Sequence, residues 1–163
     1  MNDLPAVAIG QPAPPFTLPS SDGQNVNLAQ FQGQWVVLYF YPRDNTPGCT
    51  KEACGFRDAY RQFQQAQAVV LGISTDSVTS HEKFIRKYNL PFLLLADTEG
   101  QVARAYGSYG PKKFMGKTYE GVFRHTFILD PQGKIAQIYR QVKPETHAQQ
   151  VLTDLAQLQH PTP

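Results

Sequence analysis

The chain carries two cysteines, Cys49 and Cys54, and both sit in one stretch, Tyr39-Phe40-Tyr41-Pro42-Arg43-Asp44-Asn45-Thr46-Pro47-Gly48-Cys49-Thr50-Lys51-Glu52-Ala53-Cys54. Thr46 stands where a helix N-cap belongs, and Pro47 suits the first helical position. Cys49 then falls in the first turn. The leading N–H groups of a helix lack internal partners, and the dipole there favours negative charge. A thiolate is stabilised at such a place, where cysteine pKa values fall from about 8.5 to roughly 3.5–7.5. Cys49 is therefore the candidate nucleophile, against the plainer reading of a small buried apolar side chain. The Thr46 hydroxyl is within reach of the sulfur or serves as a helix cap.

The elements that position this stretch are legible on either side of it. Trp35 to Tyr41 is β-branched, aromatic and apolar on both faces, which predicts a strand covered on both sides. Pro42 ends it, having no N–H for the ladder. The helix is expected over about Pro47 to Gln65, with Cys49, Ala53, Phe56, Tyr60 and Phe63 on its core face and Cys54, Arg57, Asp58 and Arg61 on a polar face. At helical geometry the two sulfurs point roughly 140° apart, with Cα atoms about 8–9 Å apart. A disulfide needs Cα atoms within about 7 Å, so a Cys49–Cys54 bond requires the helix to unwind locally.

Further along, Ala68 to Ser74 and Phe92 to Ala96 read as buried strands, with a helix between them at about Val78 to Tyr88 capped from Thr75-Asp76-Ser77. Asp97 is a candidate cap for a short helix ending near Gly107. Gly121 to Leu129 reads as one strand, turned by Asp130-Pro131-Gln132-Gly133 into an antiparallel partner at Lys134 to Arg140, and a last helix covers about Pro144 to Gln157, burying Val151, Leu155 and Leu158. Near the start, Phe16 to Leu18 and Asn25 to Leu28 make a hairpin about Ser21-Asp22-Gly23-Gln24. Alternating strands and helices predict parallel strands covered on both faces.

Composition narrows the function classes. With 163 residues, 41% hydrophobic, the expectation is a single domain over 1–163, with residues 1–10 and 159–163 as loose ends. A net charge of +2 is too small to imply nucleic acid or a membrane surface, and Lys112, Lys113 and Lys117 read as a solvated loop. There is no apolar run long enough to span a membrane and no visible secretory signal, so a cytoplasmic location is expected. His81, His125, His147 and His160 are scattered, so no metal site is expected. The absence of C-x-x-C counts against a disulfide oxidoreductase.

The segment Pro42-x-x-x-Thr46-x-x-Cys49 resembles the active-site motif of the peroxiredoxins. The whole sixteen-residue stretch is similar to the subgroup called peroxiredoxin Q or bacterioferritin comigratory protein, and the resemblance covers nearly the whole chain. It implies an α/β thioredoxin-like fold, a central mixed sheet flanked by helices with an N-terminal hairpin extension. It implies a thiol-dependent peroxidase that reduces hydrogen peroxide and organic hydroperoxides without a cofactor. Cys49 would become a sulfenic acid, Cys54 would resolve it as a disulfide within the chain, and thioredoxin or a similar thiol would recycle it, with the protein a monomer. Cys54 as an inert surface thiol is the alternative.

Acidity alone falls short of that activity. Lowering a thiol pKa from 8.5 to about 6 raises the thiolate fraction at pH 7 only about thirty-fold. The rest must come from fixed donors around the peroxide, each worth about 10²–10³ in rate. Thr46, the Cys49 N–H and Arg124 are the candidates. An arginine inside the apolar run Gly121 to Phe127 is expensive unless paired, or else snorkels from an edge. The resemblance places it against the thiolate. Glu52 either holds Arg124 or complements the helix dipole, Pro42 shields the thiolate from water, and Tyr41 packs in the core. His125 departs from the small hydroxylated residue of the subgroup, is expected to point away from Arg124, and is given no role. The rival reading is a redox sensor or interaction module switched by a Cys49–Cys54 disulfide.

Overall fold

A computed structural model describes residues 7–161. In chain order its elements are β1 (Thr17–Pro19), β2 (Asn25–Asn27), β3 (Trp35–Phe40), α1 (Pro47–Asp58), α2 (Tyr60–Gln65), β4 (Ala68–Ser74), α3 (Val78–Tyr88), β5 (Leu93–Ala96), α4 (Gln101–Ala105), β6 (Tyr109–Phe114), β7 (Lys117–Val122), β8 (His125–Leu129), β9 (Ile135–Tyr139) and α5 (His147–Gln159). The five-stranded sheet runs β5-β4-β3-β8-β9, with β3, β4 and β5 parallel and β8 and β9 antiparallel. This is the mixed, helix-flanked sheet expected, and β3 lies at its middle because both its faces are apolar.

Alternation along β3 divides the interior into two layers. Val37, Tyr39 and Tyr41 face α1, α3 and α5. Val36, Leu38 and Phe40 face the N-terminal hairpin and α4, where Phe127 and Tyr106 complete the packing. On β4, where Tyr39 of β3 and Leu94 of β5 close in from either side, the sheet needs a glycine. A Cβ on Gly72 would lie 2.7 Å from Leu94 Cδ2 and 2.9 Å from Tyr39 Cζ. Gly72→Ala is therefore expected to destabilise by about 1–3 kcal/mol through overpacking. The thermal midpoint, followed by circular dichroism, should fall by on the order of 5 °C.

Several expected boundaries are corrected. The helix through Gln65 breaks at Ala59, which leaves helical geometry at φ −96°, ψ 2°. No glycine or proline marks the place. The break turns Ala59 into the core and leaves Tyr60 only half-buried, so the buried stripe runs through Ala59 instead. The expected strand from Gly121 to Leu129 is two strands, parted at Phe123-Arg124, because Val122 pairs outward with Tyr109 while His125 pairs with Phe40. The lysine-rich stretch is not a loop but the β6–β7 hairpin. Its two-residue turn, Met115-Gly116, has both residues at positive φ, the geometry of a type I′ hairpin turn. Gly100, not Asp97, precedes α4, yet the Asp97 carboxylate does accept the N–H groups of Val102 and Ala103. The last helix begins at His147, and Leu158 is half-buried.

Of the segment expected to be a loose N-terminal arm, residues 1–6 lie outside the described residues. Gly10 N–H donates to the Ile135 carbonyl at 2.7 Å, so the arm's end is fastened to β9. At the other end Gln159 donates to the Ala66 carbonyl, and residues 162–163 lie outside the described part.

Candidate active site

Strand β3 delivers the chain into the Pro42–Thr46 loop, and the loop starts α1. Thr46 holds the N-cap position at φ −95°, ψ 157°, with Pro47 behind it. The Thr46 side chain makes no cap bond. Its hydroxyl donates to the Arg43 carbonyl at 2.9 Å, and no Thr46–Cys49 hydrogen bond is formed among the described residues. The expected side-chain cap is thus replaced by a bond that closes the loop on itself. The first bond back to the cap runs from Thr50 N–H to the Thr46 carbonyl. Cys49, one residue earlier, keeps its N–H free of a helical partner.

Cys49 is buried, 1% exposed, on the core face of α1, and Cys54 is half-buried. Both are free thiols. Arg124 reaches Cys49 from the β7–β8 junction, not from within a strand. The irregular backbone there frees its side chain from the alternation of a strand and turns it across the start of α1. Its Nη2 donates to Cys49 Sγ at 3.3 Å and its Nη1 to Glu52 Oε1 at 2.7 Å. Gly48 makes room, since a Cβ there would lie 3.2 Å from Arg124 Nη2.

Glu52 is 1% exposed, and its second oxygen, Oε2, is buried with no hydrogen-bond partner among the described residues. Burial pushes its carboxyl up to about 7, with Arg124 opposing the rise. The helix-dipole reading of Glu52 gives way to the Arg124 contact, because the side chain points into the protein. Pro42 is half-buried at the end of β3, and Tyr41 is buried as expected. His125 donates to or accepts from Ser108 Oγ at 2.9 Å, and burial pushes it down to about 4.

One constellation escaped the sequence. Asp44 accepts from Tyr41 Oη at 2.5 Å and Ser80 Oγ at 2.8 Å, and lies 2.7 Å from His81 Nδ1. Its N–H donates to Asp76 Oδ2, which Ser74 Oγ also reaches, and His81 Nε2 meets the Leu95 carbonyl. This buried network pins the Pro42–Thr46 loop to the ends of β4 and β5 and to α3. Ligand-type atoms of Asp44, Asp76 and His81 lie within 4.8 Å of one another, but each is already satisfied by protein partners. The one signal for it in the sequence is His81 on the inner side of an amphipathic helix.

A model of the AhpC/TSA family matches residues 9–138. The chain belongs to the AhpC/TSA family. A family member named putative peroxiredoxin bcp, from Coxiella burnetii, is 48% identical over 147 residues, which are 90% of this chain and 97% of that one. Among solved family structures, that of a PrxQ cysteine-to-serine mutant from Xylella fastidiosa superposes with a TM-score of 0.90 at 34% identity, covering 96% of this chain and 99% of that one. The bacterioferritin comigratory protein of Xanthomonas campestris, described in trapped intermediate and ligand complexes of alkyl peroxide reduction, gives 0.82 at 39% identity, covering 86% and 90%. The thioredoxin-like fold and a thiol-dependent peroxidase activity go with this membership, with a peroxide as substrate and a thiol as reductant. The sensor reading is not favoured.

Proposed function

We propose that this chain reduces hydrogen peroxide and organic hydroperoxides through Cys49 and is recycled through Cys54 by thioredoxin or a similar dithiol. The observation that carries the assignment of residues is the Arg124 guanidinium forked between Cys49 Sγ and Glu52 Oε1. The Cys49 thiolate attacks the outer peroxide oxygen. An S–O bond forms, the O–O bond breaks, and the leaving hydroxide or alkoxide takes a proton from water. Arg124, the free Cys49 N–H and the Thr46 hydroxyl, turned from the Arg43 carbonyl, donate to the oxygens as charge develops. Glu52 orients Arg124, and Pro42 keeps water from the sulfur. The Cys54 thiol then displaces water from the sulfenic acid, forming the disulfide.

The protein acts as a single-domain monomer in this reading. Its need for a dithiol reductant suits the reducing cytoplasm. Mass spectrometry of the reduced chain after one equivalent of peroxide should show loss of two hydrogens and a Cys49–Cys54 cross-link. The far-UV helix signal should fall with it, since the bond requires α1 to unwind. Oxygen added at Cys49 alone would discard Cys54, and oxidation no faster than that of an ordinary thiol would discard the assignment.

A further inference from the structure

One cation and two potential anions share the site. Arg124 is hydrogen-bonded to both Cys49 Sγ and Glu52 Oε1, and the two acceptors lie three residues apart on one face of α1. The Glu52 side chain is 0% exposed and its Oε2 has no hydrogen-bond partner among the described residues. If both acids were ionised, one guanidinium would face two buried negative charges, and the lone oxygen would bear charge with nothing to hold it.

Among the described residues, no second cation makes a hydrogen bond or ion pair with Cys49 or Glu52. From β3, the Tyr39 hydroxyl is buried without a partner and stays neutral, pushed well above its usual value by burial and then by Glu52. From β6, Lys112 spends its ammonium on the Val122 carbonyl at 2.9 Å; burial, then Arg124, lowers it, and only the more distant attraction of Cys49 acts to raise it. From α5, His147 holds Thr126 Oγ1 and is pushed down to about 4, chiefly by burial, so it is uncharged at neutral pH. Asp44, the other acid acting on Tyr39, is committed to Tyr41, Ser80 and His81.

We infer that Cys49 and Glu52 hold a single proton between them around Arg124, so that the thiolate forms by passing its proton, through solvent, to the buried carboxylate. This rests on Cys49 as the nucleophile. In the exchange the Cys49 S–H bond breaks, a Glu52 O–H bond forms, and no electrons are transferred. The net charge of the trio is unchanged, so the nucleophile is made without adding charge to the interior. Such a pair titrates in two macroscopic steps that belong to both groups. Glu52 is thus a positioning residue whose protonation decides how much of Arg124 the sulfur receives.

The test is the pH profile of iodoacetamide alkylation of Cys49 in the full-length Cys54→Ser protein, which has one thiol, with and without Glu52→Gln. The glutamine keeps an oxygen for Arg124 and carries no charge. The two-step profile should collapse to one step displaced to lower pH by on the order of 1–2 units. Superimposable profiles would overturn the inference. The reciprocal measurement covers a glutamine variant that fails to fold. The ¹³C resonance of the Glu52 carboxyl should titrate at lower pH in Cys49→Ser than in the reduced parent, by a similar amount, and an unchanged midpoint would also overturn it. Neither readout uses peroxide. A chain that does not turn over peroxide would sink the proposed function and leave this titration result standing.

Discussion

Arg124→Ala should slow oxidation of Cys49 by hydrogen peroxide by about 10²–10³, the loss typical of one preorganised donor. Nη2 lies 3.3 Å from Cys49 Sγ, and the guanidinium is largely shielded, with 21% of the side chain exposed. Little water is therefore available to replace it. The loss should persist at a pH where the thiol is fully ionised, because the missing contribution acts on the breaking O–O bond as well as on thiolate formation. Stopped-flow oxidation across pH reads both. Arg124→Lys should recover only a fraction, since one ammonium cannot fork to Sγ and Oε1 as the planar guanidinium does. Removing a partner from a buried ion pair often costs about 3–5 kcal/mol. Here the penalty should be smaller, because Glu52, already pushed to about 7 with Arg124 beside it, takes up a proton once Arg124 is gone. A rate unchanged at every pH would remove Arg124 from the chemistry.

Cys54→Ser should accept one oxygen from peroxide at Cys49 and then stop, with thioredoxin-supported turnover falling to background. Cys49 is buried and Cys54 half-buried along one unbroken helix, so the disulfide cannot form while α1 is intact. The composition of α1 makes it easy to open. Gly48 and Gly55 each weaken a helix by about 1 kcal/mol relative to alanine, and the missing Thr46 side-chain cap forgoes about as much again. What holds α1 is tertiary, the burial of Ala53 and Phe56 against β3. The variant should keep its far-UV helix signal after peroxide, while the parent loses part of it. Full turnover by Cys54→Ser would mean that an external thiol resolves the sulfenic acid. That outcome would leave Cys49 and Arg124 in place and remove Cys54.

The strand, loop and helix start that carry Cys49 are local matters, and the sequence alone was enough for them. Trp35 to Phe40 is apolar at every position, Pro42 cannot continue the ladder, and Thr46-Pro47 opens a helix, so Cys49 had one place to be. The same holds for α3, whose bounds follow from Ser77 and the spacing of Phe84. Periodicity failed where one side of an element was not simply core or water. The β6–β7 hairpin is exposed along most of its length, so no apolar alternation announced it, and only Met115-Gly116 carried a signal. For Glu52, one turn into α1, the sequence left two readings open, a hold on Arg124 and service to the helix dipole. The choice was settled by Arg124, 72 residues away, because a carboxylate turned inward needs a donor to replace water and the guanidinium supplies one. Asp44, Asp76 and His81 likewise come from two separate loops and a helix, and each is unremarkable in its own neighbourhood. Local pattern specifies which elements form and which face is apolar. The meeting of Arg124 with Cys49 depends on β3 and β8 lying side by side in the sheet, a long-range pairing that no spacing along the chain encodes.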